Sequence, residues 1–274
     1  MGTDIAPSPT HAKLASLESC AAVCAGNAPV NGAGAIILAY GTERVLTRLA
    51  RKGLADRADD LSRPGAPAVR LQPASGRPLR MSEVAHPFAL PPKAQDLSHA
   101  ETQLACLQGH VRQLGGLWNK PLAEFTDHYF DALRHVVAVD ADDLVRRAGA
   151  LAGLVEPMHW CFAAPMPLPR AHLGIDSKGA IDGSNAARTI MVDLLFQDRD
   201  GLIAVEAGRR TRTPGRQKDL ALLKAAGVRL FSPKRGAAGE TLLAALGPDF
   251  RDFAKSVDLP QSPFRGQGVP LPIS

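Results

Sequence analysis

The chain has 274 residues, 45% of them hydrophobic and 22% charged, which is an ordinary composition for a folded globular protein. This length fits one large domain or two small ones and is sufficient for a real core. The longest apolar stretch, residues 35–40, is far too short to cross a bilayer, and residues 1–12 lack the apolar run of a secretory leader. We therefore expect a cytoplasmic protein with no membrane partner.

Basic residues are in modest excess, and residues 157–247 are more basic than residues 93–156. The net charge of the chain is +5, which permits a polyanionic partner without requiring one. Residues 157–247 carry 13 basic and 8 acidic side chains, whereas residues 93–156 carry 6 basic and 9 acidic ones. An interaction with a polyanion is therefore expected in the former segment.

The four cysteines do not indicate a zinc site or a disulfide framework. Only Cys20 and Cys24 are close in sequence, and a single Cys-x3-Cys pair lacks the second half of a zinc cage. Cys106 and Cys161 are isolated. We expect free thiols in a reducing compartment.

Composition divides the chain into four parts. Residues 1–61 are predicted to form a helical, partly disordered N-terminal region. Residues 62–93 are rich in proline and have little periodicity, which is typical of a linker. Residues 94–247 predict an α/β domain with a helical insert at 117–154. Residues 248–274 predict a proline-rich tail.

Helix and strand signals follow one another along the α/β domain. Ser98 with Glu101 three residues later predicts a capping box at the start of a helix. The next helix, from about Pro121, has an apolar stripe at spacings of three and four residues. Further helices are predicted at 140–154, 214–226 and 240–246, and strands at 159–163, 189–196, 202–208 and 228–231.

Two of these strands form a predicted hairpin that contains Asp193 and Glu206. A two-residue turn at 199–200 or 200–201 places both carboxylates on one face, directly opposite or diagonal, roughly 5–8 Å apart. Two carboxylates on an apolar face repel each other unless a cation or a proton lies between them. Mg²⁺ suits such a site because it prefers oxygen ligands and retains water. An alternative is that this face is exposed and both residues are solvated.

The pattern around this hairpin resembles the core of the PD-(D/E)xK nuclease superfamily. A strand with an aspartate, a turn, a strand with a glutamate, a basic loop, a helix, a glycine and a short strand occur in that order over residues 192–231. The run VDLLFQDRDGLIAVEAGRRTRTPGRQKDLALLKAAGVRLF is similar to the branch that contains very-short-patch repair endonucleases. The corresponding positions are Val192, Asp193, Val205, Glu206, Gly208, Asp219 and Gly227, with a weaker match of residues 97–104 to the opening helix.

The resemblance implies a restriction-endonuclease-like αβββαβ core that cleaves DNA phosphodiesters with Mg²⁺ or Mn²⁺. It implies that Asp193 and Glu206 bind the metal and that Glu101, in the opening helix, completes the metal shell. Lys218 is the candidate to position the attacking water. A basic loop is expected to contact phosphates through Arg209, Arg210, Arg212 and Arg216.

The sequence departs from the family at the third motif position, which is usually lysine. Ala207 or Gly208 occupies it, and neither side chain can bind a metal or a water. Lys218 or Arg209 is a candidate substitute. The alternative hypothesis is a catalytically inactive module that binds nucleic acid or a protein through its basic loop.

Two further hypotheses remain open at this stage. One helix carries a polar stripe at spacings of four, three and four, which suits a Zn²⁺ or di-metal site or an ordinary solvated face. This stripe consists of Glu124, His128, Asp131 and His135. The chain also fits a helical interaction protein whose C-terminal resemblance is accidental.

Overall fold

The structure, a computed structural model of the full chain, is a mixed α/β fold with small sheets and several helices. It describes residues 36–39, 68–71, 76–83, 99–115, 119–175, 188–207, 213–233 and 239–255. None of the helices in these ranges has the length and apolar character needed to span a lipid bilayer.

The helices have bounds close to those that the sequence predicts. They are α1 (Ala100–Gly115), α2 (Lys120–Val139), α3 (Ala141–Ala148), α4 (Pro214–Ala225), α5 (Gly239–Leu246) and α6 (Pro248–Arg251), with 3₁₀ helices at Gly149–Leu151 and Pro157–Ala163. The Asn119 side chain accepts a hydrogen bond from the Leu122 N–H at 3.4 Å, and Pro121 lies in the first turn, so α2 begins where its capping residues specify.

Eight strands form two four-stranded sheets in the described residues. The strands are β1 (Ile36–Ala39), β2 (Ala68–Leu71), β3 (Leu168–Pro169), β4 (His172–Ile175), β5 (Arg188–Met191), β6 (Leu194–Asp198), β7 (Gly201–Val205) and β8 (Arg229–Phe231). The first sheet has the order β2-β1-β4-β5 and is antiparallel, and the second has the order β3-β6-β7-β8. Strands β7 and β8 are parallel, and α4 supplies the crossover that a parallel pair requires.

A single ribbon joins the two sheets. Leu168 pairs with Leu195 and His172 pairs with Met191, so β3–β4 and β5–β6 keep one register along their whole length. Between these pairs, the Arg170 N–H donates to the Asp193 carbonyl at 2.9 Å. Arg170 has φ 51°, which interrupts both strands at this level. The predicted strand 189–196 is therefore two strands, and Asp193 lies at the junction of the two sheets.

The core is centred on α2. Tyr129 is fully buried, with its ring centroid 5.2 Å from that of Phe196, which in turn lies 5.1 Å from that of Phe250. The Tyr129 hydroxyl donates to the Pro165 carbonyl at 2.6 Å, which satisfies its polar atom inside the core. Burial raises the pKa of this hydroxyl well above its usual value. The stripe predicted for this helix therefore packs against the sheet.

Part of the proline-rich segment 62–93 does not behave as a linker. Leu79 and Met81 are 5% and 0% exposed, and the Met81 N–H donates to the Ala164 carbonyl at 2.9 Å. Residues 68–71 form β2. Pro78 has no N–H to donate, and it is compatible with this pairing because the hydrogen bonds are donated by Leu79 and Met81.

Three other boundaries differ from the prediction. Residues 36–39, in the region predicted as helical, form β1. The tail predicted from residue 248 begins inside the core, where α6 precedes the buried Phe253. Residues 159–163, predicted as a strand, belong to the 3₁₀ helix that starts at Pro157, because Glu156 caps that helix together with the His159 side chain.

Candidate functional site

The β6–β7 hairpin has the first of the two predicted registers, in which the carboxylates lie directly opposite each other. Asp198 pairs with Gly201 and Leu194 pairs with Val205, so the turn consists of Arg199 and Asp200. Extending this register by one residue places Asp193 directly opposite Glu206. Because residues opposite each other on paired strands project to the same face, the two carboxylates are neighbours.

A short network holds this turn in place. Asp198 Oδ1 accepts hydrogen bonds from the Asp200 and Gly201 N–H groups, both at 2.9 Å, and Gly201 has the positive φ of 138° that the turn requires. Asp198 Oδ2 contacts Arg229 Nη2 at 2.7 Å. Asp249, at the start of α6, binds the Arg199 backbone N–H at 2.8 Å and its guanidinium. These contacts of the turn residues therefore fix the register of the hairpin.

Glu206 is paired with Arg216, which lies in the first turn of α4. Arg216 Nε donates to Glu206 Oε2 at 3.1 Å, and Arg216 Nη2 donates to Glu206 Oε1, so the pair is bidentate. The side chains are only 4% and 14% exposed. A third donor of the same guanidinium, Nη1, contacts the Met191 carbonyl at 2.7 Å. Arg216 therefore serves as an internal cation beside the hairpin.

Burial and the neighbouring Arg216 act in opposite directions on the pKa of Glu206. Burial raises the pKa of this carboxyl above its usual value, and the nearby Asp193 carboxylate raises it further. Hydrogen bonds from Arg216 and from the Asp193 backbone favour the charged form and limit the shift. Arg216 is thus the main group that favours the ionised form of this nearly buried glutamate.

Two other acids lie near this pair. The Asp193 side chain is half-buried and forms no hydrogen bond or ion pair within the described ranges. Asp219, on the second turn of α4, has its Oδ2 3.9 Å from Arg216 Nη1. The guanidinium is therefore flanked by carboxylates from a strand and from its own helix.

Glu101 forms its contacts with α2, away from Asp193 and Glu206. Its Oε1 accepts a hydrogen bond from Arg134 Nε on α2 at 2.8 Å, and Arg134 also donates to Gln108 Oε1 at 2.8 Å. The carboxylate of Glu156 caps α1 by accepting the Ala100 N–H at 3.0 Å, whereas Ser98, the predicted N-cap, lies outside the described residues. Glu101 contributes to the contact between α1 and α2 and does not join Asp193 and Glu206.

The donor set does not fit a divalent cation as the side chains are placed. Both oxygens of Glu206 are engaged by Arg216. Across the described part of the chain, no three His, Cys, Asp or Glu side chains form a group that could hold a metal ion. This applies equally to the stripe of α2, whose members are exposed, with Glu124 near Lys120 at 3.8 Å and Asp131 near Arg134 at 3.3 Å.

The basic residues predicted at the site differ in their exposure to solvent. Arg216 is largely buried in its pair with Glu206 and is not presented to solvent. Lys218, the candidate to position the attacking water, is exposed on α4. Arg209, Arg210 and Arg212 lie outside the described residues.

Sequence reasoning missed the positions of two arginines. Arg216 was assigned to the basic loop, although Thr213 followed by Pro214 is a helix-start signal that places residue 216 in the first turn. Arg170, directly opposite Asp193 on the other side of the ribbon, carried no sequence signal, because its unusual backbone depends on the junction between the sheets.

Comparison with protein-family models, with curated proteins and with solved structures gives no match for this chain.

Proposed function

We propose that residues 94–247 form a nuclease-like module without metal-dependent catalysis, which binds the phosphate backbone of nucleic acid. The observation that carries this proposal is the buried bidentate pair of Glu206 and Arg216. A metal site and this pair need the same carboxylate oxygens. The proposal therefore selects the inactive-module hypothesis over the nuclease hypothesis.

The order of elements supports a nuclease-like core. Helix α1, strands β3, β6 and β7, helix α4 and strand β8 follow the αβββαβ order that the resemblance implies, with α2 and α3 inserted after α1. Strands β4 and β5 extend β3 and β6 in the same register. They lengthen the ribbon without changing this order.

A resident arginine is a physical substitute for a metal ion at this hairpin. A carboxylate that is removed from water needs a compensating positive charge. The guanidinium supplies that charge, satisfies both oxygens of Glu206 and accounts for a third acceptor at Met191. It supplies no acidified water and no open coordination position, which metal-assisted hydrolysis requires. Ala207, the next residue, cannot replace the motif lysine.

The outer face of α4 is suited to a polyanion. Lys218 and Lys224 are exposed there, as are the neutral Gln217 and the small residues Ala221 and Ala225. The one acid of this helix, Asp219, is half-buried and close to Arg216. Small and basic side chains allow close approach of a phosphate backbone. The adjoining Arg209, Arg210 and Arg212 add to this charge in the sequence.

The test is a charge reversal on α4 in the full-length protein. Fluorescence anisotropy with a labelled DNA duplex is expected to show binding by the wild type and a loss of about tenfold or more for Lys218→Glu/Lys224→Glu, because two phosphate contacts are removed. The matched control is Lys120→Glu/Lys255→Glu, which changes the net charge equally at two exposed positions. Equal losses in both variants would mean that only the overall charge matters and would contradict the proposed surface.

A metal-dependent nuclease is the second candidate. Asp193 favours it, because its side chain lies opposite Glu206 and has no hydrogen-bond or ion-pair partner in the described part of the chain. This function requires Arg216 to leave Glu206. Calorimetric titration of Mn²⁺ into the wild type and Asp193→Asn separates the two candidates, since only the nuclease predicts binding that the substitution abolishes.

A further inference from the structure

Arg170 has a backbone conformation that an arginine rarely adopts. Its φ of 51° lies in the left-handed region, and it is the one non-glycine residue with positive φ among those that the structure describes. A side chain with a Cβ is strained there, and glycine or asparagine is the usual occupant. Such an outlier calls for a reason beyond the local turn.

The Arg170 side chain supplies no structural reason within the described residues. Its backbone N–H maintains the ribbon by donating to the Asp193 carbonyl at 2.9 Å, which any residue except proline can do. Arg170 is half-buried as a residue, and its side chain forms no hydrogen bond or ion pair in the described ranges, although Asp193 lies directly opposite on the ribbon. An arginine beside an acid that it does not bind is available to another anion.

We propose that Arg170 binds a phosphate group of the polynucleotide backbone, at the level of the ribbon where Asp193 and Glu206 lie. This inference rests on the proposed function. The guanidinium fork fits two phosphate oxygens, and the αL backbone fixes where the side chain leaves the ribbon. In this assignment Arg216 neutralises Glu206 internally, and Arg170 faces the ligand.

The test compares three substitutions in the full-length protein by DNA anisotropy and by thermal unfolding. Arg170→Ala and Arg170→Gly are expected to weaken binding by about tenfold and to reduce the salt dependence by about one phosphate contact. Arg170→Lys is expected to bind with an affinity between those of the wild type and Arg170→Ala, because it keeps the charge but loses the bidentate fork. The midpoint of unfolding is expected to stay unchanged in Arg170→Ala and to stay unchanged or rise in Arg170→Gly, where the strain is relieved.

A substitution at Asp193, opposite Arg170, is expected to change the DNA affinity in the opposite direction. Asp193→Asn removes a negative charge opposite Arg170 and is expected to tighten DNA binding about threefold, since like charges no longer repel the phosphate. If the wild type binds DNA and Arg170→Ala binds equally well, this inference is wrong while the proposed function stands. If Arg170→Ala loses binding and stability together, Arg170 is structural and the inference is also wrong. If the wild type binds no DNA, the proposed function itself fails.

Discussion

The carboxylate of Glu206 and the guanidinium of Arg216 form a bidentate ion pair that is almost completely withdrawn from water. Glu206 ends the hairpin and Arg216 starts α4, so the pair ties both ends of the connection between β7 and α4. It therefore combines two effects: it stabilises the junction, and it uses the carboxylate that a metal site would need.

The first prediction concerns the stability of this pair. Glu206→Leu or Arg216→Met alone is expected to lower the free energy of unfolding by about 3 kcal/mol, because each leaves one buried charge without its main partner. The double variant is expected to recover most of this loss, since it removes both charges together. Chemical denaturation of the four proteins measures the coupling. Additive losses in the double variant would show that the two side chains do not interact.

The second prediction concerns residues 76–83. Met81→Ala is expected to lower the free energy of unfolding by about 2–4 kcal/mol, because it leaves a cavity at a side chain that is 0% exposed. Leu154→Ala is the control, since Leu154 is 58% exposed, and its expected loss is below about 0.5 kcal/mol. Equal, small losses for both would mean that this segment is a linker after all.

The third prediction concerns acid denaturation. Burial alone would raise the pKa of Asp249, but hydrogen bonds from the Arg199 side chain and backbone hold it below the usual value of 3.8. A carboxyl with a lowered folded-state pKa stabilises the protein above its unfolded-state pKa, and this contribution is lost as the pH falls through the folded-state pKa. Glu206, whose pKa is raised mainly by burial, has the opposite effect, and its contribution declines as the pH rises above 4.5.

Denaturant midpoints at about pH 6 and about pH 2.5 test this assignment. Asp249→Asn is expected to reduce the drop in stability between the two conditions, mainly by lowering the value at the higher pH. Asp200→Asn, which removes an exposed carboxyl from the same turn, is the control and is expected to follow the wild type. An unchanged drop in Asp249→Asn would place the acid sensitivity elsewhere.

Local signals in the sequence predicted the hairpin and most helices. The Asp198 side chain accepts hydrogen bonds from the Asp200 and Gly201 N–H groups, so the turn follows from short-range chemistry, whereas the sequence left two registers open. Pro121 and Pro214 mark the starts of α2 and α4 for the same reason.

Long-range contacts explain what the sequence did not predict. Glu156 caps α1 from 56 residues away, and the local spacing around Glu101 could not indicate this contact. Leu79 and Met81 pack in the core despite their proline-rich surroundings. The pairing of Glu206 with Arg216 required the fold of α4 onto the sheet, which the spacing of ten residues does not specify. The conformation of Arg170 depends on two sheets meeting.

We propose above that this module binds nucleic acid without a metal because Arg216 neutralises Glu206. The most direct measurement is DNA anisotropy of the full-length protein in EDTA and in Mg²⁺ or Mn²⁺, with the same samples examined for cleavage on a denaturing gel. We expect no gain in affinity from the divalent cation at matched ionic strength, and intact DNA throughout. Cleavage that requires the divalent cation and disappears in Asp193→Asn would contradict it and would establish the nuclease.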